Sequence, residues 1–207
     1  MPLKIFKSYT KSTRGTVLVD RKNLWKGKPL KSLTVGSHST GGRNNLGRIT
    51  SRHRGAGHKQ KYREIDFYRK KDNLKAKIER IEYDPNRSAH VALIKYEDGL
   101  MSYILAPNKI KIGDEVVSGK NKEIEIGNCM PLSDIPTGTD IHNIELHPNG
   151  GGKLARSAGS SAQISGKDEN YCIIKLGSGE IRKIINTARA TIGSVSNTDH
   201  QNIKIGK

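Results

Sequence analysis

A dense group of cationic side chains lies among glycines between Gly41 and Arg63. Arginine presents a planar fork of donors that matches phosphate geometry, and lysine adds a point charge. Because glycine also lets a backbone approach a ligand closely, the segment is predicted to follow a folded RNA backbone through several phosphates. The alternative is a solvated tail that only keeps the protein soluble. The candidate RNA-binding residues are Arg43, Asn44, Asn45, Arg48, Arg52, His53, Arg54, His58, Lys59, Lys61 and Arg63.

A second basic, glycine-rich stretch runs from Asn149 to Gly159. Its consecutive glycines could leave backbone N–H groups free to form a concave anion site, and basic side chains would add charge. The spacing is not that of a nucleotide-binding P-loop, because the GxxxxGK[ST] pattern is missing. A plain flexible hairpin loop is the alternative. The candidate residues on this surface are Lys153 and Arg156, extended by Arg182, Lys183 and Arg189 on later strands.

The remaining reactive side chains indicate neither metal binding nor catalysis. His53 and His58 are five residues apart, as are His142 and His147, but neither pair has cysteine neighbours or HExxH spacing. No nucleophile has an evident base among the scattered acids. Cys172 alternates with the apolar residues of its predicted strand, which favours a place in the core. The sequence therefore predicts no catalytic residue, no metal and no cofactor.

The distribution of charge indicates a polyanionic partner. The 207 residues include 37 Lys and Arg against 20 Asp and Glu, a formal net charge of +17. Residues 1–63 hold 16 of the basic residues and a single acid, Asp20. Such a balance is unusual for an enzyme that acts on small molecules and typical of nucleic-acid binding. No apolar run approaches the roughly 20 residues that a membrane span needs, so no membrane partner is predicted.

The basic stretch from about residue 26 to 63 has little apolar pattern, so alone it is predicted to be disordered until it meets RNA. Beyond it, five short β-like runs with small turns favour a closed barrel. The triplet Glu97-Asp98-Gly99 is a strong hairpin signal, because Asp-Gly tolerates positive φ. The predicted strands are 77–83, 90–96, 100–105, 110–117 and 123–126.

Residues 128–140 contain proline and glycine punctuation that is typical of a linker. Strands are predicted to resume after it, and Gly177-Ser178-Gly179 marks the last hairpin turn. These strands indicate a second small, β-rich core, so the predicted fold class is all-β. They are predicted at 141–146, 161–165, 171–176, 180–185 and 190–195.

Consecutive motifs along the chain carry a family resemblance: WKGKPLKSLT (25–34), TGGRNNLGRITSRHRGAGHKQKYREIDF (40–67), RIEYDPNRSAHVALIKYEDG (80–99), SYILAP (102–107), IPTGTDIHNIEL (135–146), GGKLARSAG (151–159) and RATIGSVSN (189–197). The series resembles the bacterial-type ribosomal protein L2 family from about residue 20 to the last residue. It implies an OB-fold barrel followed by an SH3-like barrel, with a long basic N-terminal extension. The implied domains are an rRNA-binding extension (1–63), an OB-fold-like barrel (64–127), an SH3-like barrel (128–197) and the start of a C-terminal tail (198–207).

The resemblance implies a non-enzymatic structural constituent of the large ribosomal subunit. Its partners would be large-subunit rRNA, near the peptidyl transferase region, and neighbouring ribosomal proteins, and it would support subunit assembly and association. An RNA-binding translation factor or ribosome-assembly factor is the alternative, since such barrels recur there. An RNA-modifying enzyme would need a cofactor loop or an acid–base pair, and neither is evident.

Members of the family continue past the position of Lys207 into a long, basic, glycine-rich tail. We therefore expect a separate polypeptide to supply that tail, as a split gene would produce. An organelle is the favoured setting for such a split, so a ribosome in the mitochondrial matrix is expected in preference to one in the bacterial cytoplasm. An organelle presequence is a minor alternative interpretation of the acid-poor N terminus, which contains Ser and Thr, and the start of the resemblance close to that terminus weighs against it.

Overall fold

The computed structural model describes residues 3–37, 39–55 and 57–206, so Lys207, the end of the predicted tail segment, lies outside the described residues. Over these ranges the fold is all-β, with an OB-fold barrel followed by an SH3-like barrel, as predicted. Short 3-10 helices occur at Lys31–Leu33 and Thr198–Asn202. No described helix is long and apolar enough to cross a membrane.

The N-terminal segment contributes two antiparallel pairs of short strands: β1 (Leu3–Ile5), β2 (Val17–Val19), β3 (Thr34–Ser37) and β4 (Gln60–Arg63). Strand β1 pairs with β2, and β3 pairs with β4. Most of their side chains are exposed, because few apolar residues are available to cover them. The order of this segment in the absence of RNA, and its boundary at residue 63, stay predictions.

A four-stranded antiparallel sheet forms the first barrel: β5 (Lys75–Glu82), β6 (Val91–Tyr96), β7 (Met101–Leu105) and β8 (Glu115–Val117). The spatial order is β7-β6-β5-β8. In β5, Ala76 and Ile78 are buried while their neighbours are exposed, so the apolar face of the strand closes on the barrel interior. A register shift after Ile78 bends the strand. The predicted hairpin between β6 and β7 is confirmed, with Gly99 at φ +82°.

Part of the N-terminal segment lies against this first barrel. Leu24 is buried. Leu30 packs against the cluster that contains Tyr103, and its backbone N–H donates a hydrogen bond to the Tyr103 hydroxyl at 2.9 Å. Residues 24–33 are therefore attached to the barrel.

The second barrel contains eight strands: β9 (Cys129–Pro131), β10 (Asp140–His142), β11 (Ile144–Glu145), β12 (Gly152–Leu154), β13 (Ala162–Lys167), β14 (Tyr171–Leu176), β15 (Ile181–Ile185) and β16 (Arg189–Ile192). Six of them form one antiparallel sheet in the order β15-β14-β13-β10-β16-β9, and β11 pairs with β12. The core is aliphatic, with Ile141, Ile164 and Ile174 fully buried. Cys172 is buried in the same cluster, which confirms its predicted place in the core.

The predicted strand at 123–126 was wrong, and only the end of the one predicted at 110–117 is a strand. Ile124 and Ile126 share one side of the segment and both are exposed. The chain turns back there, with the Asn128 side chain donating a hydrogen bond to the carbonyl of Glu123 at 3.0 Å. Residues 123–126 pair with no strand among the described residues, so the alternating pattern alone did not produce one.

The interpretation of residues 128–140 as a linker was also wrong. The segment contains β9, and Leu132 and Ile135 are fully buried in the second core. Its apolar residues therefore outweigh the proline and glycine signals. The strand predicted at 141–146 is divided into β10 and β11, because Asn143 between them has a positive φ of 50°.

Backbone hydrogen bonds join the two barrels directly. The N–H of Asn108 donates to the carbonyl of Ser194 at 2.8 Å, and the N–H of Gly119 donates to the carbonyl of Cys129 at 2.9 Å. Pro107 also pairs with Val195 in an isolated antiparallel bridge. The junction therefore joins residues 107–119 of the first barrel to β9, the first strand of the second barrel, and to the residues that follow β16, its last strand.

Candidate RNA interface

The loop between residues 40 and 51 is held in shape by its own polar groups. The Asn44 side-chain oxygen accepts hydrogen bonds from the backbone N–H groups of Leu46 (3.0 Å) and Arg48 (2.9 Å). Gly42 has φ +73°, and a Cβ there would collide with the carbonyl oxygen of Ser51. Asn44 and Gly42 therefore shape the loop itself, although the sequence prediction assigned the Asn44 side chain to RNA.

The fixed loop and the segment after it present their cations to solvent. No ion pair within the described residues involves Arg43, Arg48 or any other cation between 39 and 62. Clustered positive charges without internal counter-charges create a potential that attracts anions. The predicted residues that the structure places on this exposed surface are Arg43, Asn45, Arg48, Arg52, His53, Arg54, His58, Lys59 and Lys61.

Arg63 faces the opposite way, which corrects its placement in the predicted cluster. At the end of β4 its side chain is buried, with guanidinium nitrogens 3.5 Å from Glu82 and 3.4 Å from Asp84. Glu82 also accepts a hydrogen bond from the Tyr103 hydroxyl at 2.9 Å. The Arg63 charge is therefore compensated inside the first barrel, and its predicted contact with RNA stays untested.

The glycine-rich loop of the second barrel does not form the expected anion nest for RNA, because its glycine N–H groups are already bonded. One of the acceptors is the carboxylate of the protein's own Glu145, which is only 2% exposed. The Gly150 N–H donates to the carbonyl of His147 (3.0 Å), and the Gly152 N–H donates to the carbonyl of Phe67 (3.0 Å). The Gly151 N–H donates to the Glu145 carboxylate (3.1 Å).

Close packing explains why this loop needs glycine. A Cβ at Gly152 would overlap the side chain of Asn143, and a Cβ at Gly151 would lie 3.2 Å from the Tyr68 ring. Because Tyr68 precedes the first barrel's sheet, the loop is a joint between the two barrels. Its glycines serve this contact.

Arg189 is a clamp in the same joint. Its terminal nitrogens donate to the two carboxylate oxygens of Asp72 at 2.7 and 2.8 Å. Its backbone N–H donates to Glu145 at 3.1 Å. Hydrogen bonding to Asp72 raises the pKa of Arg189 above its ordinary value. The structure therefore shows Arg189 in a bidentate ion pair with Asp72, and its contact with RNA stays a prediction.

Arg182 and Lys183 lie on the edge strand β15 and are not brought onto one surface. Successive residues of a strand point to opposite faces. Both side chains are exposed, and each has a local acid: Arg182 donates to Glu180 at 2.7 Å, and the Lys183 ammonium lies 3.5 Å from Asp168. The predicted common surface with Arg189 is therefore not formed.

Lys153 and Arg156 remain exposed beside the glycine-rich loop. The Arg156 guanidinium lies 4.7 Å from the centre of the Phe67 ring and donates to the carbonyl of Gly152 at 3.2 Å. Lys153 has no ion pair within the described residues. Both residues border a polar groove that continues to Thr198. This groove is the part of the second predicted cluster that can still meet phosphate.

The buried histidine and cysteines of the second barrel belong to its interior. Burial lowers the pKa of His142 to about 4, and its Nδ1 lies 2.7 Å from the carbonyl oxygen of Gly193. Burial also raises the pKa of the Cys129 and Cys172 thiols, so they stay protonated at neutral pH. Over the described ranges, no group of three His, Cys, Asp or Glu side chains could hold a metal ion.

Sequence reasoning missed a set of cation–aromatic pairs near the N terminus. The Arg21 guanidinium lies 3.8 Å from the centre of the Tyr83 ring, and Arg80 lies 4.9 Å from that of Trp25. The partners are far apart in sequence, so only the interleaving of basic and aromatic residues could have signalled them. Such pairs offer flat, cationic surfaces of the kind on which nucleobases stack.

Comparison with known sequences shows which protein families and relatives this chain is similar to. Residues 30–118 match the family model for Ribosomal Proteins L2, RNA binding N-terminal domain, and residues 125–207 match that for Ribosomal Proteins L2, C-terminal domain. The large ribosomal subunit protein uL2 of Pelagibacter ubique is 61% identical over 208 residues, covering all of this chain and 74% of the relative. The corresponding protein of Granulibacter bethesdensis is 62% identical, and that of Rickettsia felis 58%; each alignment covers all of this chain, with 75% and 76% of the relative.

Proposed function

The chain belongs to the ribosomal protein L2 family, and from this premise we propose where it holds RNA. It is a structural, non-enzymatic component of the large ribosomal subunit that binds rRNA. Residues 39–62 carry the main phosphate contacts. A second contact forms at the groove bordered by Lys153 and Arg156.

The observation that carries this proposal is the absence of carboxylate partners for the exposed cations of residues 39–62, over the described part of that segment. Phosphate oxygens fit these side chains because an arginine fork can bind two of them together. The internal hydrogen bonds of Asn44 favour the loop shape that the structure shows, which reduces the ordering cost of binding.

The joint between the barrels gives the protein its architectural role. The Asp72–Arg189 ion pair and the hydrogen bond from the Gly152 N–H to the carbonyl of Phe67 connect the second barrel to the first. RNA segments bound at residues 39–62 and at the groove are therefore kept at a defined separation. This spacing supports folding of the rRNA during assembly and, in the completed subunit, association with its partner.

Sedimentation through sucrose gradients at high salt tests the structural role. We expect the wild-type protein to remain with the large subunit, whereas a translation or assembly factor would wash off. A variant with Arg43, Arg48 and Arg52 changed to Ala should incorporate poorly. The control removes three exposed lysines of the first barrel, Lys95, Lys109 and Lys111, and should incorporate normally. Equal behaviour of the two variants would remove residues 39–62 from the interface.

Three finer points stay predictions. Contact near the peptidyl transferase region is tested by chemical footprinting of the rRNA with and without the protein. The relatives named above are bacterial, and a mitochondrial matrix setting would be established by cell fractionation. A separate polypeptide for the tail is tested by mass spectrometry of purified large subunits, where one longer chain carrying these peptides and a contiguous tail would refute it.

A further inference from the structure

A basic cleft lies between the β1–β2 strand pair and the junction of the two barrels, outside both clusters described above. Its rim is cationic and aromatic, with one carboxylate, that of Asp20, 3.5 Å from the Lys22 ammonium, and its floor is polar. The floor is unusual because it combines deep burial with unpartnered hydrogen-bonding atoms. The rim residues used here are Lys4, Arg21, Lys22 and Tyr83, and the floor residues are His90 and Asn197.

His90 is 2% exposed, yet neither of its ring nitrogens has a hydrogen-bond partner among the described residues. Its backbone is fixed, since its N–H donates to the Ser196 hydroxyl oxygen at 3.2 Å and its carbonyl accepts from the N–H of Ala106 at 3.0 Å. Burial, helped by the charge of Arg21, lowers the pKa of His90 to about 4. The neutral ring therefore offers one donor and one acceptor.

Asn197 supplies a second unpartnered atom at the floor. The residue is 6% exposed, and its side-chain amide donates to the carbonyl of Ser88 at 2.8 Å, while its side-chain oxygen accepts no hydrogen bond from the part of the chain that the structure describes. Its φ of 62° is left-handed, a conformation that persists only where the surroundings hold it. Leaving buried polar atoms unpaired costs free energy, so both residues point to a ligand that pairs them.

We propose that this cleft binds one nucleotide of the RNA, with the base edge against His90 and Asn197 and the phosphate at the cationic rim. A base edge carries both donors and acceptors, as the floor does. Inorganic phosphate offers chiefly acceptors and would leave the acceptors of the floor unpaired. Arg21, stacked 3.8 Å from the centre of the Tyr83 ring, adds a flat cationic surface. This inference rests on the proposed RNA-binding function.

The test compares the affinity of the full chain for large-subunit rRNA with that of the His90→Phe variant, which keeps a ring and removes both nitrogens. We expect a loss of about tenfold, the effect of one or two base-edge hydrogen bonds. The dependence of affinity on salt should not change, because a neutral contact releases no counterions. His147→Phe, at an exposed histidine outside the cleft, is the matched control and should bind like the wild type.

A second measurement does not depend on how the variant folds. The His90 ring resonances of the wild-type protein are followed by NMR during titration with ribonucleoside 5′-monophosphates and with inorganic phosphate. A shift with at least one nucleotide and none with phosphate supports the proposal. No shift, or equal shifts with phosphate, overturns it.

The two proposals fail in different ways. If the wild-type protein does not bind rRNA, the proposed function itself is refuted. If it binds rRNA and folded His90→Phe binds equally tightly, only the cleft proposal is overturned. The cleft proposal is also overturned if nucleotides shift the His90 signals while folded His90→Phe binds rRNA as tightly as the wild type. The cleft would then bind free nucleotides and not the RNA.

Discussion

Residues 39–62 and 147–156 share a composition of glycine with basic side chains, yet they use it in opposite ways. In the first region the cations face solvent without carboxylate partners over its described residues. In the second region, the Gly151 N–H donates a hydrogen bond to the Glu145 carboxylate, and the glycines permit close contact between the barrels. The cause is the distribution of acids, since residues 1–63 contain one acid and the rest of the chain contains 19. A basic, glycine-rich sequence thus leaves all its cations free only where the fold brings no carboxylate to it, and in the second region the exposed cations are Lys153 and Arg156.

The two regions also differ in the interactions that keep them ordered. The like charges of residues 39–62 repel one another until an anion arrives, so binding contributes to their stability. Residues 147–156 are ordered by internal pairing, and Arg189 connects them through Glu145 to the rest of the second barrel. The two regions should therefore respond oppositely to RNA and to internal mutations.

The largest expected effect comes from removing the carboxylate inside the second region. Glu145→Ala leaves the N–H groups of Gly151 and Arg189 without their buried, charged acceptor, and should lower the free energy of unfolding by about 4 kcal/mol. Urea denaturation measures the change. Glu125→Ala, at an exposed glutamate, should stay within about 0.5 kcal/mol of wild type. Equal costs for the two variants would mean that Glu145 does not hold the joint.

Acid should weaken the second barrel through His142. Its folded-state pKa of about 4 lies below its ordinary value of 6.5, because burial disfavours the charged ring. The unfolded chain therefore binds the proton more readily, and stability is lost as pH falls from about 6.5 to 4, by up to about 3 kcal/mol. His90 acts in the same direction. Urea titrations across this range should give a flatter profile for His142→Gln, and an unchanged slope would contradict the assignment.

A smaller effect is expected from the clamp between Arg189 and Asp72. A double-mutant cycle with Arg189→Met and Asp72→Asn should give a coupling energy of about 1 kcal/mol, since Asp72 is partly exposed and solvent screens the pair. The comparison pair, Arg182 with Glu180, is exposed on both sides and should give a coupling near zero. If the coupling energy of Arg189 with Asp72 is no larger than that of Arg182 with Glu180, Arg189 does not stabilise the joint.

The smallest expected effect is on the shape of the first region. Asn44→Ala removes the acceptor for the Leu46 and Arg48 N–H groups, so their amide hydrogens should exchange faster while global stability changes by less than about 0.5 kcal/mol. Asn45→Ala, at the neighbouring exposed position, should leave that exchange unchanged. Identical exchange in the two variants would show that Asn44 does not organise the loop.

The sequence was sufficient for features set by near neighbours. The turns at Gly99 and Gly179, with φ of 82° and 90°, follow from short glycine-containing signals between apolar runs. The resemblance supplied the barrel types. Contacts between distant residues could not be read in this way: Arg189 meets Glu145 and Asp72 across 44 and 117 positions. From its neighbours in the sequence, Arg189 was therefore predicted to be one of the RNA-binding cations. In the fold its guanidinium is paired with Asp72.

The most direct measurement of the central claim is the salt dependence of binding to large-subunit rRNA for two triple variants. In one, Arg43, Arg48 and Arg52 become Ala; in the other, the acid-paired Arg182, Lys183 and Arg189 become Ala. The first should lose about 2 to 3 units from the slope of log affinity against log salt, because roughly 0.7 to 0.9 is lost per phosphate contact. The second should keep the wild-type slope. A loss confined to the second variant, or equal losses in both, would contradict the division between a free and an internally paired basic region.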